Sequence, residues 1–136
     1  MKLEAGLHDV ADFSPITPGV YELVIKEPPE IIPEVYDETD IGGKMYTINV
    51  QCEIASGSEA GKKVWRRITN KSKATRYFMK RFLEGIGITI GSDGSFITEN
   101  MLGRKFKAAI YDRQYKDADG NEKKASDIDL ESVQPL

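Results

Sequence analysis

A mainly β chain is predicted: a β-barrel of five strands with one helix between strands three and four. Three observations predict it. Apolar residues alternate with polar ones in five short segments, clusters of Gly, Pro, Asn and Asp separate those segments, and helical periodicity is convincing in one place only. A length of 136 residues fits a single domain over 1–136, with 1–12 read as a flexible lead-in.

Strand one comes from "PGVYELVIKEPP", where Pro18-Gly19 opens a run that places Tyr21, Leu23 and Ile25 on one face and Pro28-Pro29 closes it. The next stretch, 28–43, is rich in prolines and carboxylates and reads as a long acidic loop. Strand two, "KMYTINVQCEIA", sets Tyr46, Ile48, Val50, Cys52 and Ile54 against Thr47, Asn49, Gln51 and Glu53. After the turn "SGSEAG", strand three, "KKVWRRIT", puts Val64, Arg66 and Ile68 on one side and Lys63, Trp65, Arg67 and Thr69 on the other.

The helix starts near an Asn70 or Ser72 cap and ends at Gly85 or Gly87. Its wheel gathers Phe78, Met79, Phe82, Leu83 and Ile86 on one face and Lys73, Arg76, Lys80 and Glu84 on the other. A connector follows, with a short extended piece at Phe96-Ile97. Strand four, "RKFKAAIYDRQY", turns Phe106, Ala108 and Ile110 one way and Lys107, Ala109, Tyr111 and Arg113 the other. "KDADGNEKK" makes a hairpin tip, and "ASDIDLESVQPL" completes strand five with Ile128 and Leu130 inward. Three strands, a helix and two strands is the order of the OB-fold, a five-stranded Greek-key barrel.

Composition narrows the function classes. A single cysteine, Cys52, rules out an internal disulfide and a Cys-rich zinc site, which suits a reducing cytoplasm. No apolar run reaches the length of a membrane span, and no secretory leader is visible, so no membrane partner is expected. His8 is the lone histidine, so a Ser-His or Cys-His pair has almost nothing to draw on. The loop "DADGNE" lacks the Gly and Glu positions of a calcium-binding loop. Neither catalysis nor a cofactor or metal is expected.

Charge is the informative feature. The formal net charge is -3, yet Lys62, Lys63, Arg66, Arg67, Lys71, Lys73, Arg76, Lys80 and Arg81 fall within one segment that holds no carboxylate. Residues 1–41 show the reverse, with only Lys2 and Lys26 among many acids. A positive band interleaved with aromatics is the pattern by which proteins hold single-stranded nucleic acid: cations track phosphates and rings stack on bases. On this reading the nucleic-acid-binding residues are Lys63, Trp65, Arg66, Arg67, Lys71, Lys73, Arg76, Lys80, Tyr111 and Arg113. Trp65 reads equally as a packing residue, and the helix cations as a solvated face.

The segments "DFSPITPGVYELVI", "GGKMYTINVQCEIASGSEAGKKVWRRIT", "FLEGIGI", "LGRKFKAAI" and "DIDLESVQP" give the chain its resemblance to a family of small phage-encoded, OB-fold single-stranded-DNA-binding-like proteins of replication and recombination modules. The resemblance implies a non-enzymatic protein of low sequence specificity, acting on single-stranded DNA in the host cell cytoplasm. It brings in a recombinase or other replication proteins as candidate partners and leaves homo-oligomerisation open. The second expectation is a protein-interaction module, an acidic DNA mimic or adaptor acting on a host or phage protein through Glu34, Asp37 and Glu38.

Overall fold

The computed structural model describes residues 1–4 and 16–136, with 33–37 described through their backbone only. Its strands are β1 (Gly19–Val24), β2 (Glu30–Glu38), β3 (Lys44–Ile54), β4 (Lys63–Thr69), β5 (Lys105–Lys116), β6 (Glu122–Ile128) and β7 (Gln134–Pro135). One helix, α1 (Lys73–Gly85), joins β4 to the connector before β5, and short 3-10 turns lie at Thr98–Met101 and Leu130–Ser132. The chain is mainly β, as the alternation leads one to expect.

All pairing is antiparallel, in an open sheet that runs β2-β3-β1-β5-β6, with β4 on the other edge of β3 and β7 on β5. Both β1 and β2 use the same edge of β3: Leu23 is opposite Ile54 at one end, and Ile31 is opposite Ile48 further along. They behave as one bent strand interrupted at Pro28-Pro29, where missing N–H donors break the ladder. The sheet curls so that β4 lies against β6 without a hydrogen-bonded ladder between them.

The core sits inside that curl. Leu23, Ile25, Val50, Cys52, Ile54, Phe106 and Ile110 are all buried from the inner face, and α1 closes it with Met79, Phe82, Leu83 and the following Ile86. Phe82 meets Phe106 edge to face at 5.9 Å. Each fully buried side chain of this kind contributes roughly 1.5–3 kcal/mol of transfer free energy.

The helix ends are set by local chemistry. Ser72 is the N-cap, in a reciprocal box: its hydroxyl accepts from the Thr75 N–H, and its own N–H donates to the Thr75 hydroxyl. At the other end Gly87 takes a left-handed φ of 89°; its N–H reaches the Glu84 carbonyl and the Ile88 N–H reaches that of Leu83. This double bond pattern needs a residue without a Cβ penalty at that position.

Three expectations are corrected. Segment 28–43 is not a long loop, because Glu30–Glu38 pairs with β3; only the tight turn at 39–43 remains. A proline is tolerated there because β2 is an edge strand, and the register shifts between Pro33 and Glu38. At Phe96-Ile97 the chain joins no sheet, but Ile97 has the extended backbone expected there, with φ -103° and ψ 115°. Strand five stops at Ile128, after which the chain bends through Leu130–Ser132 and adds β7 beside Phe106 and Lys107. Phe78 is 40% exposed and does not join the core, since it lies on the flank of the helical stripe, edge to face with the exposed Tyr77. Of the flexible lead-in, residues 5–12 lie outside the described residues, and so does His8.

Candidate nucleic-acid interface

Strand β4 faces two ways, and the core decides which. Val64 and Ile68 are buried at 2% and 3%, so alternation turns Lys63, Trp65, Arg67 and Thr69 outward. Trp65 is 53% exposed, more than half an indole open to solvent. Pairing with β3 sets Gln51 opposite Trp65, Asn49 opposite Arg67 and Glu53 opposite Lys63. The result is a solvent-facing patch in which an indole lies between two cations, beside uncharged amides. Among the described residues no carboxylate pairs with Lys63 or Arg67, while Glu53 is taken by Lys26. The acidic strand β2 reaches this face through Glu30, which stands opposite Asn49.

A second outward row continues along β5. Residues 111–116 are all exposed, because the β5-β6 hairpin runs out beyond the core. One face of this arm presents Tyr111, Arg113 and Tyr115, with Lys123 opposite Tyr115. The Arg113 guanidinium lies over the Tyr115 ring, 5.8 Å from its centre, in a cation-π contact. At the tip, Asp117 accepts through Oδ1 from the N–H groups of Asp119 and Asn121, both at 3.0 Å. The tip carboxylate thus serves its own turn.

Asp127 ties together strands β4 and β6 behind the two rows. It is 8% exposed, sits opposite Tyr111 on β6, and accepts from Arg66 Nη1 with both oxygens at 3.0 and 3.2 Å. Arg113 approaches the same carboxylate at 3.4 Å. Arg66 projects from the inner side of β4, opposite Val50, and its buried Nε has no hydrogen-bond partner among the described residues. It is therefore a strut between β4 and β6 rather than an open cation.

The helix cations do not join this patch as a group. Lys71 and Lys73 are exposed at the junction of β4 and α1. Arg76 is bound to Asp40 and to the Asn70 carbonyl, which ties the β2-β3 turn to the helix; Asp40 also accepts from the Lys73 N–H at 3.1 Å. The Arg76 guanidinium holds the Asp40 carboxyl below its ordinary range, helped by the Lys73 N–H and opposed by partial desolvation. Lys80 pairs loosely with Glu84 at 3.7 Å, and both Arg76 and Lys80 line a groove on the inner side of the sheet.

Sequence reasoning missed Tyr115, Lys123 and Asp127 as parts of this surface. Tyr115 and Lys123 follow once the alternation through Tyr111 and Arg113 is carried to the hairpin tip. Asp127 has no local signal, because its partner Arg66 is 61 positions away. Burial pushes the Cys52 thiol up to about 12, which keeps it protonated and inert. No group of metal-ligating side chains is found among the described residues, and none of their helices is long and apolar enough to cross a membrane. Glu34 and Asp37, named for the acidic-surface expectation, lie outside the described side chains. Comparison with protein families and with curated proteins finds no match for this sequence.

Proposed function

We propose that the chain is a non-enzymatic protein that binds single-stranded DNA with low sequence specificity through the outer faces of β4 and of the β5-β6 arm. The observation that carries the reading is Trp65, open to solvent between Lys63 and Arg67, with which no carboxylate among the described residues pairs. An exposed indole has a cost in water that a stacked base would remove, at ~1–3 kcal/mol per base. Tyr111 and Tyr115 extend the stacking surface, and Arg113, Lys123, Lys71 and Lys73 the phosphate track.

The finer fold reading, an OB-fold, is supported by the pairing path. Taking β1 and β2 as one bent strand and setting aside the two-residue β7 leaves five strands in the order β4-β3-β1-β5-β6, with β4 against β6 and the helix between β4 and β5. The resemblance to phage replication and recombination proteins supports a place beside a recombinase or other replication proteins in the host cell cytoplasm.

Trp65 is the chain's one tryptophan, so its emission reports on the site directly. Titration with a thirty-nucleotide oligothymidylate at low salt is expected to quench it. The log of the association constant should fall against log salt by ~0.7 per phosphate contact. Trp65→Ala should weaken binding about tenfold or more, followed by a labelled oligonucleotide. An emission that ignores the oligonucleotide at low salt sinks the reading.

A further inference from the structure

On the inner side of the sheet, β2 and the start of β3 extend past the cover that α1 provides. Ile31 and Tyr46 flank Ile48 on the core-facing side, yet they are 45% and 38% exposed while Ile48 is buried. Met79 and Leu83 of α1 form the opposite wall, and the connector from Ile90 to Thr98 closes the end with Ile90 and Phe96. Together they bound a half-open groove of about 770 Å³, a volume within the ordinary range for bound ligands.

The lining identifies the occupant's chemistry. Its apolar lining is mostly aliphatic, with Ile31, Ile48, Leu83 and Ile90 around Met79 and the two rings of Tyr46 and Phe96, which suits bulky apolar side chains. Among the described residues no Asp or Glu lines it, while Arg76 and Lys80 do. Arg76 is already held by Asp40, and Lys80 is only loosely matched by Glu84. Lys44, opposite Glu38 on β2, stands 5.3 Å above the ring of Tyr46, itself a lining residue. Lys80 on the lining and Lys44 over Tyr46 thus set cations beside an apolar trough.

We propose that this groove docks a short segment of a partner protein, one that presents bulky apolar side chains flanked by carboxylates. The site is on the opposite face of β3 from Asn49 and Gln51, so a partner and a DNA strand can be held together. The inference does not depend on the DNA-binding reading.

The test starts from a phage-displayed library of random twelve-residue peptides selected on the full chain. Selected peptides are then synthesised and titrated by fluorescence anisotropy. They are expected to carry apolar anchors next to Asp or Glu. Binding should weaken about tenfold or more with Ile31→Asp, an exposed position whose change leaves the core intact, and should weaken with Lys80→Glu and with added salt. Oligothymidylate quenching of Trp65 should be the same for Ile31→Asp as for the parent. If Ile31→Asp fails to fold by circular dichroism, Tyr46→Glu takes its place with the same expectation. Peptides without acidic residues, binding indifferent to these substitutions, or a self-association that Ile31→Asp abolishes would each overturn the proposal, the last by assigning the groove to a second copy.

Discussion

At Asp127 one carboxylate faces two guanidiniums and has little water to share them with. Its side chain is 11% exposed and that of Arg66 25%, so each charge is compensated chiefly by the other. Asp127→Asn keeps the shape and removes the charge, leaving a half-buried cation whose Nε already lacks a partner among the described residues. A loss of ~1–3 kcal/mol is expected, read as a lower urea midpoint with an unchanged slope. Arg66 also shows what alternation can and cannot say about a residue. Period two places Trp65 and Arg66 on opposite faces of β4, but which face is outer depends on Val64 and Ile68 finding α1 and the rest of the core. Arg66 looks like any other cation in the basic run until its distant acid is in place.

Among elements, α1 was legible down to a choice of Asn70 or Ser72 at its start and Gly85 or Gly87 at its end, because caps and glycines act locally. Its end carries a further constraint. A Cβ built on Gly85 would come within 2.6 Å of both the Val133 carbonyl oxygen and its Cγ1. The oxygen belongs to backbone held by the 3-10 turn and β7, so it cannot step aside as a flexible side chain would. Gly85→Ala should therefore destabilise the protein by ~1–3 kcal/mol of packing strain, outweighing the roughly 1 kcal/mol that alanine gains in helix propensity. A lower thermal midpoint checks it. β2 is the element that sequence misread: prolines and acids signal a loop unless the strand lies on an edge, where one side needs no ladder. Edge position is a property of the sheet, invisible in the segment.

For the molecule as a whole, contacts between distant charges hold the curled sheet to its helix. Asp40, on the β2-β3 turn, reaches Arg76 and the Lys73 N–H of α1. Its carboxyl is held below the ordinary value of 3.8 by the Arg76 hydrogen bond first. The folded state then binds that proton less readily than the unfolded state. The contribution is complete above the unfolded pKa and is lost as pH falls through the folded one. Asp40→Asn should lower the urea midpoint at about pH 7, and that difference should shrink as pH falls through the lowered range of the folded carboxyl. The same long-range assembly sorts the basic segment: Lys63 and Arg67 remain open beside Trp65, Arg66 and Arg76 become ties, and Lys80 goes to a groove on the other side.

Local patterning was sufficient for the β class, for α1 with its caps, for the alternating faces of β1, β3, β4 and β5, and for the gathering of cations from Lys62 to Arg81. These follow from side-chain period, capping and turn chemistry, which act over a few residues. Tertiary structure alone decided that β2 is a strand, that Trp65 faces water, that Phe78 is left outside the core, and that Asp127 takes Arg66. Those outcomes depend on which surfaces meet after the sheet curls, and the partners that settle them are tens of residues apart.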